Sequence, residues 1–301
     1  MKFYSGFVAL IGRPNVGKST LMNLFVGEKI SIVTNKPQTT RNKIRSILTG
    51  EDYQIIFIDT PGLHQPKTKL GDFMVKSATN AMGEADAVIY MVEPREKIHE
   101  GDKEILQNLA KINAPVFLAI NKVDTVDKPS LLKIIDQYSS EYSFREIIPL
   151  SALKGDNTQA LLSAIRDILQ EGPMFFPEDQ ITDQPERQIT AEIIREKALT
   201  FLQEEIPHGL AVEITGMKSR AKDEGDEGAI VDVGATIFCE KESHKAIIIG
   251  KKGDMLKRIG STARRDIENL LGSPIFLELW VKVKKNWRDS DFLLKNFGYK
   301  E

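Results

Sequence analysis

The sequence predicts two domains of different class: an α/β domain with a mostly parallel sheet covered by helices on both faces, then a smaller α+β domain. Three observations predict this. Short apolar runs alternate with helical sequence from residue 7 to about residue 170, the order that builds parallel β–α–β units. Residues 172–185 mix Gly, Pro and polar side chains with no helical or strand period, which marks a linker. Beyond it the elements follow a new order, α-β-β-α-α-β. A chain of 301 residues has room for about two cores.

Composition narrows the class without naming a partner. Hydrophobic content of 41% and charged content of 28% are those of an ordinary globular protein. A net charge of −2 points neither to nucleic acid nor to membrane, although it hides an uneven distribution. The single cysteine, Cys239, excludes an intrachain disulfide and sits in an apolar strand-like run, so it reads as an inert buried thiol in a reducing compartment. Residues 1–6 lead straight into the first strand, and no apolar run is long enough to span a bilayer. The expectation is a cytoplasmic protein.

The first strand, residues 7–11, runs into Gly12-Arg13-Pro14-Asn15-Val16-Gly17-Lys18-Ser19, and Thr20 opens a helical pattern. Strand, glycine-bounded loop, Lys-Ser and helix is the context of a phosphate-binding loop. The glycines let successive N–H groups turn inward, and the helix N-terminus adds its positive dipole end. Lys18 is placed to reach the outer phosphates, and Ser19 to sit on Mg²⁺. The polar stretch 35–41 reads as a loop on the phosphate side, where a hydroxyl of Thr39 or Thr40 completes the Mg²⁺ shell; chemistry alone does not separate the two, and Thr40 is taken with Ser19 and Asp59 as the metal set.

A β-branched strand at 53–58 ends in Asp59-Thr60-Pro61-Gly62. Asp59 is positioned to hold Mg²⁺ through water, and the Gly62 N–H to meet a γ-phosphate in a loop able to switch. Strands at 87–92 and 115–120 flank a helix near 102–111, and the second leads into Asn121-Lys122-Val123-Asp124. Asp124 matches two donors on guanine that adenine lacks, so adenine would strand a desolvated carboxylate. Asn121 would brace the phosphate loop and the base, and the Lys122 stem would cover the base. The strand 147–150 leads to Ser151-Ala152-Leu153, whose backbone is placed to meet the guanine oxygen. A helix at 157–170 closes the domain.

These four motifs in this order resemble the guanine-nucleotide-binding domain of the translation-factor-related GTPases, over residues 1–170. The resemblance implies GTP/GDP as ligand and GTP hydrolysis, with Asn15, Lys18, Thr40 and Gly62 as the catalytic set. Leu63 stands where Ras-like enzymes carry a water-orienting glutamine. Asn15 matches the asparagine that some relatives use to hold K⁺ near the phosphates, or serves only to stabilise the loop turn.

In the second domain a helix over 189–206 and a strand over 210–214 precede a charged turn at 219–228. A strand at 229–239, a helix at 243–249, the turn Gly250-Lys251-Lys252-Gly253, a helix at 254–271 and a strand at 275–283 follow. A helix–GxxG–helix turn brings N–H groups and two lysines against single-stranded phosphates, with Ile247, Ile248 and Ile249 beside an apolar groove for bases. Lys257 and Arg258 follow the turn, and Lys285 lies in a basic tail, so the charge flanks the proposed RNA path. Trp280 is expected to pack in the last strand; Trp287 either stacks on a base or covers the domain edge. This half resembles a type II KH domain.

Together the two halves resemble the Era-like GTPases: an α/β P-loop GTPase domain (1–171), a linker (172–188) and a KH RNA-binding domain with a basic tail (189–301). The resemblance implies, as partners, the 3′ region of 16S rRNA and the 30S subunit precursor, peripheral contact with the inner membrane, and a monomer.

Overall fold

The computed structural model describes residues 2–34, 36, 38–203, 206–221 and 229–299. The chain forms two compact units. The first comprises Met1–Ser31, Thr40–Lys67 and Gly71–Asp183; the second comprises Ile32–Thr39, Thr68–Leu70 and Gln184–Glu301.

The first unit is built on β1 (Tyr4–Gly12), α1 (Lys18–Val26), β2 (Ile44–Thr49), β3 (Tyr53–Asp59), α2 (Lys69–Glu84), β4 (Ala87–Val92), α3 (Glu100–Leu109), β5 (Val116–Ile120), α4 (Lys128–Glu141), β6 (Glu146–Pro149), α5 (Thr158–Arg166) and β7 (Gln170–Glu171). The strands run in the order β2-β3-β1-β4-β5-β6, and β7 pairs with the start of β1. All central pairings are parallel; only β2 and β7 run antiparallel to their neighbours. Central parallel strands are covered on both faces and so read as unbroken apolar runs, and β4 and β5 are buried at every position. The period of two splits β1 between two cores. Val8 and Leu10 face α1 and α5 through Leu21, Met22, Leu161 and Ile165. Ala9 and Ile11 face the opposite core, with Ala78, Leu109 and Ile134 of α2, α3 and α4. The parallel pairing leaves the carboxyl ends of β1, β3, β5 and β6 on one rim.

Residues 172–183 group with the first unit. The Gln54 side chain accepts from the N–H groups of Phe175 and Phe176 and donates to the Phe176 carbonyl, and the Phe175 ring lies 5.2 Å from Phe7. Ile47 N–H donates to the Ile181 carbonyl, and Thr182 Oγ1 to the Arg45 carbonyl. The stretch with no periodic pattern is therefore a strap held by hydrogen bonds from the Gln54 and Thr182 side chains and from backbone, which a sequence period does not encode.

The second unit contains α6 (Glu186–Phe201), β8 (Ala211–Ala221), β9 (Ala229–Cys239), α7 (Glu242–Ile249), α8 (Asp254–Leu271), β10 (Ile275–Val283) and α9 (Asp291–Asn296). Its sheet order is β10-β9-β8, with β9 antiparallel to β8 and parallel to β10. Ile193, Ala198, Val233, Ile237, Ile259, Ala263 and Ile267 form its core.

Several expectations are corrected. The first helix of this unit ends at Phe201, not residue 206; Ile206–Gly209 is a 3₁₀ turn. Residues 219–221 extend β8 rather than opening a turn, and 222–228 of the expected turn lie outside the described residues. Trp280 is 57% exposed, because the alternation that buries Ile275 and Val281 turns Phe276, Glu278, Trp280 and Lys282 outward. Trp287 is fully buried: its Nε1–H donates to the Gly209 carbonyl at 2.9 Å and its ring meets Phe297 and Tyr299. It belongs to the core and offers no face to a base.

Candidate nucleotide site and RNA-binding turn

The loop after β1 is a cradle of backbone donors. Gly12, Asn15 and Gly17 all have positive φ, and Gly17 caps α1 in the left-handed region. A Cβ on Gly17 would lie 2.2 Å from Asn121 Nδ2, so both conformation and space require glycine there. Lys18 is buried, and its Nζ donates to the carbonyls of Gly12 (3.1 Å) and Arg13 (3.0 Å). Burial lowers the Lys18 ammonium to about 8, against the opposing pull of Asp59. Arg13 reaches Asp102 at 3.6 Å, and Tyr90 donates its hydroxyl to the same carboxylate at 3.0 Å. Pro14 closes against Gly62, and the Leu63 N–H donates to the Gly12 carbonyl. Val16 contributes its carbonyl rather than its buried side chain, and Thr20 lies half-buried in the first turn of α1.

Beside Lys18 three oxygen-bearing side chains converge. Ser19 Oγ donates to Asp59 Oδ2 at 2.6 Å and lies 3.0 Å from Thr40 Oγ1, which is 3.4 Å from the same carboxylate oxygen. Asp59 is fully buried, and burial pushes its carboxyl upward while Lys18, Ser19 and Thr40 oppose the shift. Its other oxygen, Oδ1, is buried with no hydrogen-bond partner. Two hydroxyls and a carboxylate with an orphaned oxygen fit a hard, oxygen-seeking cation such as Mg²⁺, which keeps part of its shell as water. Among the described residues there is no His/Cys/Asp/Glu cluster of the kind that binds metal unaided. The Thr39 hydroxyl turns elsewhere, donating to the Lys36 carbonyl at 2.6 Å and meeting Thr34 Oγ1 at 2.8 Å. Thr40, not Thr39, joins Ser19 and Asp59.

The base end assembles from the ends of β5 and β6. Asn121 Nδ2 donates to the Val16 carbonyl, and its Oδ1 accepts from the Ala152 N–H, both at 2.8 Å. Lys122 Nζ donates to the Asn15 carbonyl at 2.9 Å and pairs with Glu93. The Ser151 hydroxyl and, more weakly, Lys154 hold the Asp124 carboxyl below its ordinary range. Leu153 is exposed, so it presents backbone but no packed side chain. Glu93 and Asp102 escaped the sequence reading. The available signal for Glu93 was its place directly after the buried strand β4, on the rim that carries Asp59 and Asn121.

In the second unit, α7 ends at Gly250 (φ 76°), where a Cβ would lie 2.2 Å from Asp254 Oδ1 and 2.8 Å from the Met255 nitrogen. Lys252 is left-handed, and Gly253 caps α8. Lys251, Lys252, Lys257 and Arg258 are exposed, with Arg258 stacked 4.2 Å over the Phe201 ring; Lys285, beyond β10, is also exposed. Arg264 and Arg288 are tied to Glu268 and Glu240. Ile248 is corrected: it is fully buried in the core, because helical spacing turns it away from Ile247, which is 50% exposed, while Ile249 is half-buried.

Known proteins resemble both units. A family described as "50S ribosome-binding GTPase" matches residues 7–122, and the KH domain family matches residues 205–288. GTPase Era of Clostridioides difficile (strain 630) is 55% identical over 300 residues, 99% of each chain. GTPase Era of Ruminiclostridium cellulolyticum is 54% identical, covering 100% of this chain and 99% of its own. Among solved structures, Era in complex with MgGDPNP and nucleotides 1506–1542 of 16S ribosomal RNA is 41% identical, with a TM-score of 0.94 over 99% of this chain and 100% of that one. A variant of Aquifex aeolicus Era bound to GDP·AlF₄⁻ is 42% identical, with a TM-score of 0.93 over the whole of both chains.

Proposed function

The chain belongs to the Era family of GTPases, and from that membership we propose that it is a GTP-hydrolysing switch that binds 16S rRNA near its 3′ end and acts in assembly of the small (30S) ribosomal subunit. The observation that carries the reading is the pairing, in one chain, of the Ser19–Thr40–Asp59 cluster beside Lys18 with the exposed lysine turn Gly250–Gly253. The solved relative that holds both a Mg-bound GTP analogue and a 16S rRNA fragment supports it.

The roles follow from the geometry. The loop N–H groups and Lys18 hold the phosphates, and Asp124 selects guanine over adenine. Ser19, Thr40 and Asp59 hold Mg²⁺, which supplies charge neutralisation on the β- and γ-phosphate oxygens. Gly62 N–H meets the γ-phosphate. Leu63 packs in the first unit's core and polarises nothing, so hydrolysis would rely on backbone groups, another side chain or a cation; Asn15 would hold a K⁺, which would supply positive charge near the phosphates. Turnover that is equal in K⁺ and Na⁺ buffers would remove Asn15 from that role. GTP orders the loops around Thr40 and Gly62, and hydrolysis releases them.

The proposal extends to a monomer whose membrane contact is peripheral; among the described residues no helix is long and apolar enough to cross a bilayer. The test is the affinity of the full chain for a 16S 3′-end RNA fragment with GDP and with a non-hydrolysable GTP analogue at one stated salt concentration, alongside multiple-turnover phosphate release. Tighter RNA binding with the analogue, and phosphate release stimulated by RNA, are expected. Absence of RNA binding in both nucleotide states would overturn the reading.

A further inference from the structure

We propose that the outer face of the β10-β9-β8 sheet is a second surface for single-stranded RNA, separate from the Gly250–Gly253 turn, on which Phe276 and Trp280 stack bases and Glu278 accepts from the amino group of a base between them. The inference rests on the reading of the chain as an RNA-binding protein.

The inner face of this sheet is core. Val233, Ala235 and Ile237 of β9 point into it, and α7 and α8 pack there through Ile248 and Ile259. The turn that joins those helices therefore lies on the helical side. Alternation sends Asp232, Gly234, Thr236 and Phe238 to the outer face. At the Phe238 end that face is already covered, since the Phe297 ring lies 4.7 Å from Phe238. The remainder is open: Phe276 is 58% exposed and Trp280 57%.

Strand register sets three rows across the open part. Lys218, Asp232 and Phe276 form the first row. Gly216, Gly234 and Glu278 form the second. Glu213, Thr236 and Trp280 form the third, with Lys282 one step beyond Trp280 on β10. The two glycines make the middle row the floor of a cleft of about 420 Å³, walled by Lys218, Arg220, Phe276 and Glu278. A Cβ on Gly216 would meet nothing within 4 Å, so the space belongs to the cleft and not to packing. That volume suits a ring-sized ligand.

The charges select the ligand. Arg220 is engaged, its Nε–H donating to both Asp232 carboxylate oxygens at 2.9 Å. Among the described residues, no side chain pairs with Lys218, Lys282, Glu213 or Glu278. Free cations thus stand at the two ends of the aromatic stripe, and free carboxylates stand between them. From Phe276 to Lys282 the strand spans about 20 Å, room for the two or three bases that a sheet with exposed aromatics stacks. Single-stranded RNA matches this order: phosphates at the outer lysines, rings on Phe276 and Trp280, and an exocyclic amino donor at Glu278. A duplex keeps its rings stacked inside and offers none to the aromatics. Uracil has no amino group and would set a carbonyl oxygen against the carboxylate. Two stacked bases and two exposed lysines give binding only at about millimolar oligomer concentrations, so capture of dilute RNA still depends on the turn.

The chain has two tryptophans, and Trp287 is fully buried, so quenching of exposed tryptophan emission reports on Trp280. The experiment titrates the full chain with four-nucleotide oligo(C) and oligo(U) at one stated salt concentration. Photocrosslinking with the 5-iodo forms of both oligomers, followed by peptide mapping, gives the site directly. Oligo(C) is expected to quench Trp280 at about fivefold lower concentration than oligo(U), with crosslinks on residues 276–282. Glu278→Gln should bring that ratio close to one. Phe276→Ala, which keeps the reporter, should weaken both oligomers about tenfold. Both side chains are exposed, so these variants keep the fold, and the wild-type crosslinks test the site without any substitution. A chain that binds the 16S 3′-end fragment but shows no Trp280 quenching, or crosslinks only around the Gly250–Gly253 turn, would overturn the proposal. So would a C-to-U ratio that Glu278→Gln leaves unchanged. Quenching that grows with protein concentration in the absence of RNA, together with a dimer in sedimentation, would give the face to a second copy of the chain and likewise overturn it. A wild-type chain that binds neither the oligomers nor the 16S fragment would instead overturn the RNA-binding reading itself.

Discussion

Changing Thr40 to Ala should separate the two threonines that residue chemistry alone leaves equivalent. The Thr40 hydroxyl lies 3.0 Å from Ser19 Oγ and 3.4 Å from Asp59 Oδ2, whereas the Thr39 hydroxyl is used within its own bend. A hydrogen bond or ligand contact to a charged group contributes about 1.5–3 kcal/mol, or roughly one to two orders of magnitude in affinity. Thr40→Ala should therefore weaken a Mg-bound GTP analogue by that factor and raise the Mg²⁺ concentration it requires. GDP, which has no γ-phosphate to draw this loop in, should change by less than about threefold. Thr39→Val removes two neutral contacts of the bend, about 1 kcal/mol each at most, and should show the smaller loss. Fluorescent-nucleotide titrations at fixed and varied Mg²⁺ give both quantities. If Thr39→Val matches Thr40→Ala, or if GDP weakens as much as the analogue, the assignment of the metal hydroxyl is wrong.

The Lys18 ammonium, lowered by burial to about 8, loses its proton in the folded empty chain before the unfolded chain does, so the folded state binds fewer protons between about pH 8 and 10.5 and this group's contribution to stability rises with pH there. Phosphates need the charged form, so GDP affinity should fall above pH 8 and binding should take up a proton; calorimetry at pH 8.5 in buffers of different ionisation enthalpy measures it, and a buffer-independent heat would contradict it. Trp287→Ala empties a fully buried site and strands the Gly209 carbonyl, an expected loss of about 3–5 kcal/mol that denaturant unfolding of the second unit would report. Asp at both Lys251 and Lys252 should abolish RNA binding with little change in the melting temperature, whereas Ile248→Ala should cost about 2–5 kcal/mol of stability because its side chain is core. Leu63→Gln should not raise the hydrolysis rate, because the side chain is 8% exposed in the apolar core and a buried amide there lacks partners; a rate gain would show that the loop turns this residue toward the phosphate.

The strands of the parallel sheet were legible because burial on both faces leaves them no polar positions, as in Val88 through Val92. β2 was not, because an edge strand carrying Arg45, Ser46 and Thr49 looks like loop until its pairing with β3 is known. The last strand shows the reverse case. Its limits follow from its apolar run, yet the fate of Trp280 depends on parity, and position 280 is even where the buried Ile275 and Val281 are odd. Trp287 had no periodic frame at all; the Gly209 carbonyl 78 residues earlier and the Phe297 and Tyr299 rings account for its burial.

Within the site the same division holds at the level of single atoms. Residues that act through their own peptide, such as Gly12, Gly17 and Gly62, announce themselves by local conformation, since a positive φ or a missing Cβ is a property of one position. Residues that act by holding another residue do not. Glu93 on Lys122, Asp102 on Arg13 and Arg195 on Thr39 are separated from what they hold by 29, 89 and 156 positions. None has a spacing to recognise, and an acidic or basic side chain in a helix or loop is ordinarily a solvated one. What marks Asp102 and Arg195 is burial of charge, whereas Glu93 is only half-buried. Asp102 is held above the ordinary carboxyl range by desolvation, and Arg195 has no exposed surface. A chain bears that cost only where a specific partner meets the group, so in this fold the buried charges outside the motifs are the ones that locate the residues positioning the motifs.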